Sequence, residues 1–281
     1  DKPAYDAASA VVMDTLRAVP GAVVEVLGWD EAFVGIETDG PEAVAHRIQA
    51  DVLAATDLHC TVGIGDTKVR AKIATEFGKP RGTFRLTGDT WFEVMGERPT
   101  RDLWGVGTRI SQRLAALGIS TVHDLATAED ALLAAEFGPQ SGPWLGALGR
   151  GESSSVVDDT PWVPRAHGRE TTFQRDLSAT EEVEDAVRVL AEQVVDDIRA
   201  EGRPCARVHL KVRFAPFFTV NRSRKLVEPT WDPSVLAATA LDLLRALEDE
   251  RPVRLLGVRA EMVPPDGGYD PPRTHGRRGM P

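Results

Sequence analysis

Val23-Val24-Glu25-Val26-Leu27-Gly28-Trp29-Asp30-Glu31-Ala32-Phe33-Val34-Gly35-Ile36 is the stretch from which the rest of the chain is read. β-Branched and aromatic residues at this density build a buried strand or a tight hairpin. Two adjacent carboxylates, Asp30 and Glu31, interrupt the run. Burying such a pair without hydrogen bonds or a cation is costly, so a divalent metal is an economical partner. Neighbouring residues on a regular strand point to opposite faces, so both reach one site only where the backbone bends or bulges. The alternative is an exposed pair at a strand end or turn, with no metal.

At 281 residues the chain is long enough for two or three domains, each with its own core. With 42% hydrophobic and 27% charged residues it has the composition of a globular protein, not a disordered one. No apolar run approaches transmembrane length, and the first residues lack the regions of a secretory signal, which predicts a cytoplasmic protein with no membrane partner. Cys60 and Cys205 form no metal-ligand spacing and are expected to be reduced, structural thiols. A net charge of -10 argues against indiscriminate coating of nucleic acid but allows a local basic face.

Helical spacing over residues 4–18 precedes the strand run, and a second helix is expected from Pro41 to about Ala55. Residues 60–65 read as a short buried strand, and Gly65-Asp66-Thr67 leads from it into a basic helix carrying Lys68, Arg70 and Lys72 and ending at Lys79-Pro80-Arg81-Gly82. Strand, glycine turn and helix N-terminus make a place where backbone N–H groups bind phosphate, although the Walker order is missing. A solvated helix face is the competing reading. Further on, Gly105-Val106-Gly107 and the apolar-periodic helix after it have the form of a helix–hairpin–helix, whose glycines let the backbone approach a phosphate.

Residues 151–164 have linker composition. Beyond them the pattern predicts βαββαβ, four strands backed by two helices. From Arg203 to Leu226 the charged residues are Arg203, Arg207, Lys211, Arg213, Arg222, Arg224 and Lys225, with no acid among them, whereas the preceding helix is strongly acidic. Alternation puts Val208, Leu210 and Val212 on one face of a strand and Arg207, His209, Lys211 and Arg213 on the other. A basic open sheet face with acidic helices behind it suits a phosphate backbone. The residues after 263 are rich in Pro, Gly and Arg and are expected to be disordered.

GWDEAFVG, CTVGIGDTKVRAKIATEFGKPRG, DLWGVGTRISQRLAALGISTVHDL and HGRETTF, in that order, resemble the Y-family (translesion) DNA polymerases, DinB or DNA polymerase IV branch. The resemblance implies an α+β protein. Its parts would be a partial palm over residues 1–86, a thumb with a helix–hairpin–helix over 87–151, a linker at 152–165, a little finger at 166–263 and a tail at 264–281. It implies catalytic and metal-binding roles for Asp30 and Glu31, with two Mg²⁺ ions or Mn²⁺ in their place, and a triphosphate contact for Lys79. It also implies DNA contacts by Gly105, Val106, Gly107, Arg169, Thr171 and Thr172, beside the basic strand residues Arg207, Lys211, Arg213, Arg222 and Arg224. Primer–template DNA and deoxynucleoside triphosphates are the implied partners; no sliding-clamp motif is visible.

Gly28 and Gly35 stand where the family usually has serine and aspartate, and nothing in residues 1–29 matches its DxDxFF-like strand or its fingers. The chain is therefore expected to lack those N-terminal parts and to be inactive as given. The competing readings are a non-catalytic accessory protein on the same scaffold and a generic helix–hairpin–helix repair factor.

Overall fold

A computed structural model describes residues 2–269, which fall into two units, residues 2–161 and 162–269. Among the described residues no helix is long and apolar enough to cross a membrane.

In the first unit, α1 (Lys2–Arg17) turns at Gly21 into an antiparallel hairpin of β1 (Val23–Val26) and β2 (Ala32–Gly35). The register pairs Val24 with Val34 and Glu25 with Phe33, so the hairpin has two distinct faces. Val24 and Val34 pack on Met13 and Leu16 of α1 and on Ile48 and Val52 of α2 (Pro41–Thr56), forming a small core. A second ladder is parallel: β3 (Val62–Gly65) and β4 (Thr83–Leu86), joined by α3 (Lys68–Gly78). The two ladders are separate two-stranded sheets, not one mixed sheet.

α3 lies almost on the backbone of β3. A Cβ at Gly63 would stand 2.1 Å from the Ala71 carbonyl oxygen, so only glycine admits the helix at that distance. Val69 and Ile73 of α3 share a core with Trp91, Met95, Leu114, Leu125, Leu133 and Leu148. That core joins the parallel ladder to α4 (Trp91–Met95), α5 (Thr108–Ala116), α6 (Val122–Thr127), α7 (Asp130–Phe137) and α8 (Ser141–Gly149).

The second unit is β5 (Ala166–Leu177), α9 (Thr180–Ala200), β6 (Cys205–Phe214), β7 (Phe218–Thr230), α10 (Pro233–Arg245) and β8 (Val253–Met262). The antiparallel sheet has the order β5-β8-β6-β7. Val208, Leu210, Val212, Val258 and Ala260 pack beneath Val187, Val194, Ile198, Leu236 and Ala240 of the helices, which leaves the other sheet face open. The edge strands are the longest, β5 with 12 residues and β7 with 13. Most of the expected tail, residues 270–281, lies outside the described residues.

Candidate functional site

The loop between β1 and β2 carries Asp30 and Glu31, both exposed. It is closed by the amides of Leu27 and Gly28, which donate to the Glu31 carbonyl at 2.9 and 3.2 Å. A loop, unlike a regular strand, does not force neighbouring side chains to opposite faces. The Glu31 carboxylate accepts from Lys72 Nζ of α3 at 2.5 Å. Lys79 stands at the far end of the same helix, where its amine donates to Glu76 at 2.6 Å. Two turns of helix separate Lys72 from Lys79, about 10 Å along the axis. The structure thus brings Lys72, and not Lys79, to the carboxylate pair. Among the described residues no group of three or more His, Cys, Asp or Glu side chains is arranged to hold a metal.

Behind the loop lies a feature that sequence reading missed. Glu25 and Lys68, 3% and 5% exposed, form a buried ion pair. Glu25 shares its hairpin face with Phe33, and Lys68 Nζ lies 5.5 Å from the Phe33 ring centre. The signal was an acid inside a β-branched strand, with a lysine opening α3.

The same pair anchors a strap. The Asp158 amide donates to Glu25 Oε2 at 3.0 Å, and the Lys68 amide donates to the Ser154 carbonyl at 3.1 Å. Thr67, whose hydroxyl caps α3 by accepting from the Arg70 amide, donates to the Gly151 carbonyl at 3.0 Å. A Cβ at Gly35 would meet Val157 at 2.8 Å, so the strap also crosses the hairpin. Residues 151–158, which have the composition of a linker, are thus tied to the first unit by hydrogen bonds.

At the expected helix–hairpin–helix, Gly105 has φ +92° and Val106 is buried. Gly107 caps α5, with no heavy atom within 4 Å of where its Cβ would be and no acid in the first turn. An uncrowded N-cap with no acid beside it suits an anion.

Register divides the basic residues of the second unit, because cross-strand partners share a face. Arg207, His209, Lys211 and Arg213 pair across β8 with Glu261, Arg259, Gly257 and Leu255, and across β7 with Lys225, Ser223, Asn221 and Thr219. This is the open face, and Thr172, opposite Leu255, joins it. Arg222 and Arg224 pair with Leu210 and Val208, and Arg169 and Thr171 pair with Val258 and Leu256, which places all four on the helix-facing side. Arg169 grips Asp197 of α9 with two bonds of 2.6 Å, holding that carboxyl below its usual range, while Arg224 donates to Asp242 of α10 at 3.0 Å.

The open face is also not free of acid. Glu170 accepts from Lys211 at 2.8 Å, and Glu261 lies 2.9 Å from His209 Nε2 and 3.8 Å from Arg207. These acids arrive on β5 and β8, outside the acid-free stretch, because β8 inserts between β5 and β6. Cations still outnumber them: Arg207, Lys211, Arg213, Lys225 and Arg259 face Glu170 and Glu261.

Comparison with known proteins adds an independent line. Residues 1–76 match the impB/mucB/samB family, residues 101–152 the DNA polymerase-iota thumb domain, and residues 164–270 the impB/mucB/samB family C-terminal domain. DNA polymerase IV 2 of Mycobacterium tuberculosis is 44% identical over 263 residues, covering 92% of this chain and 75% of that protein. DNA polymerase IV of Desulfatibacillum aliphaticivorans is 32% identical over 256 residues, covering 89% and 64%. Among solved structures, a Y-family DNA polymerase chimera of Dbh and Dpo4 superposes with a TM-score of 0.79 at 20% identity, over 94% of this chain and 77% of that one.

Proposed function

The chain belongs to the Y-family DNA polymerases, in the DNA polymerase IV (DinB) branch, and from that premise we propose that its chemistry is template-directed DNA synthesis of the translesion type, centred on Asp30 and Glu31. The observation that carries this reading is the β1–β2 loop, which presents two adjacent carboxylates to solvent beside the lysine of a helix. An all-oxygen donor pair fits Mg²⁺ or Mn²⁺, which keep waters and take phosphate oxygens as further ligands. Bound there, two such ions would activate the primer 3′-hydroxyl and stabilise the leaving pyrophosphate.

The remaining roles belong to the chain. Lys72 screens Glu31 and fixes its direction. Lys79, exposed at the end of α3, would meet a triphosphate on leaving Glu76. The open start of α5 positions a DNA phosphate without reading sequence. On the second unit Arg207, Lys211 and Arg213, together with Thr172, line the face we assign to the DNA backbone. Arg169, Thr171, Arg222 and Arg224 are left to the helix side of the sheet or its edges.

Two adjacent carboxylates make a small ligand set for two ions, so extension is expected to be slow. The same observation favours one other reading, a non-catalytic DNA-binding member of the family. Primer extension with Mg²⁺ and four nucleotides, run beside DNA-binding titrations on the protein and its Asp30→Ala variant, separates the two. The proposal expects extension that the substitution abolishes while DNA affinity holds. Undiminished extension by Asp30→Ala overturns the site assignment, and binding without synthesis by the unsubstituted protein favours the accessory reading.

A further inference from the structure

The hairpin that joins β6 to β7 ends in two phenylalanines. Phe214 pairs with Phe218 across the ladder, and Ala215, Pro216 and Phe217 make the turn. Phe214 is buried, whereas Phe217 is 69% and Phe218 53% exposed. A single exposed aromatic is ordinary. Here, however, guanidinium groups underlie the rings: Arg251 lies 4.6 Å from the centre of Phe218, and Arg254 lies 5.4 Å from that of Phe217.

Both arginines are held in place from the other side. Arg251 is bound to Asp249 at 2.6 Å, and Arg254 lies 3.4 Å from Asp176. The turn itself is pinned by the Ala215 amide, which donates to the Pro252 carbonyl at 2.9 Å. One residue before Phe214, Arg213 bonds Thr219 Oγ1 at 2.9 Å. The tip is therefore a fixed pair of flat apolar surfaces among cations. It is neither a greasy patch nor a floppy loop.

An apolar protein surface or a lipid tail would have to strip water from the Arg251 and Arg254 ion pairs that lie against these rings, at a cost nothing in the tip offsets. A stacked base covers the ring face and brings its own phosphate to the cations. We propose that the β6–β7 tip is a stacking platform for an unpaired nucleobase in the single-stranded extension of a duplex, with Phe217 as the contacting ring. The inference rests on the DNA-binding reading above and adds a site to it.

The test compares two DNA probes on the full chain by fluorescence anisotropy: a blunt duplex, and the same duplex with a short 5′ overhang. The unsubstituted protein is expected to prefer the overhang. Phe217→Ala should reduce that preference by about fivefold or more while leaving blunt-duplex affinity unchanged, since stacking on an aromatic ring is worth about 1–3 kcal/mol per base. Phe217→Trp should restore it, with indole emission quenched on binding. An overhang preference that is absent, or untouched by Phe217→Ala, overturns the platform while the DNA-binding reading stands. Failure to bind either probe overturns both.

Discussion

Replacing Lys68 by methionine tests the buried pair behind the hairpin. Both side chains are buried, so the substitution leaves a carboxylate inside the first unit without the Lys68 amine. Breaking a buried ion pair from one side costs about 3–5 kcal/mol. That is a large share of the roughly 5–15 kcal/mol that holds a domain folded. At a urea slope of about 2 kcal/mol/M, the midpoint should fall by about 1.5–2.5 M.

Glu25→Gln added to Lys68→Met should recover most of that loss, because the amide oxygen is uncharged and still accepts from the Asp158 amide. Glu25→Leu with Lys68→Met should recover less, since the Asp158 N–H loses its acceptor at a cost of about 1–3 kcal/mol. Tryptophan fluorescence reads the transition, as Trp29, Trp91, Trp104 and Trp144 all lie in residues 1–161. Hydrogen exchange at the Asp158 amide reads the strap directly. A shift of less than about 1 kcal/mol for Lys68→Met, or a Gln–Met double variant no better than the single one, would rule out the buried pair as a source of stability.

Two further predictions follow from packing and charge. Gly63→Ala drives a Cβ into the Ala71 carbonyl oxygen and, at 2.6 Å, the Thr75 amide, so it should cost about 3 kcal/mol or more, whereas Gly107→Ala, which meets nothing, should cost under about 1 kcal/mol; thermal melts of the two variants check the contrast. In the second unit the Arg169 guanidinium lowers the Asp197 carboxyl, so the pair's contribution is present above the unfolded carboxylate range and is lost as pH falls through the folded value. With Arg169 half-exposed, the effect should be at most about 1 kcal/mol. Asp197→Asn should therefore melt below the natural sequence at pH 7 and level with it near pH 2, and a constant gap would show that the pair's charge is irrelevant.

Much of this was legible locally. The β-branched run around Asp30 reads as a hairpin because propensity and alternation act over a few residues, and the outward direction of Arg207, Lys211 and Arg213 follows from the period of a single strand. What was not legible depends on chain segments far apart. Lys68 and Glu25 are 43 positions apart, and nothing beside either names the other. The face on which Arg222 and Arg224 lie depends on their register with β6, and Arg169 and Thr171 depend on theirs with β8. Glu261 reaches the basic face only because the last strand inserts between two earlier ones. The α3 basic cluster was legible as a group, but which lysine meets Glu31 was decided by how α3 lies against the hairpin.

The strap carries a lesson for anyone exchanging parts between relatives of this protein. By composition the seam lies at residue 152, where small and polar residues begin. By hydrogen bonding, the chain through Asp158 belongs to the first unit, and Pro164 is already claimed by the second through Arg203. A graft cut at 152 would import foreign residues onto the Glu25–Lys68 pair and open a seat that Val157 fills, so its phenotype would mix a damaged host with a new donor. Cut between Asp158 and Pro164, the same graft leaves both hosts whole, and any change in behaviour belongs to the part that was moved.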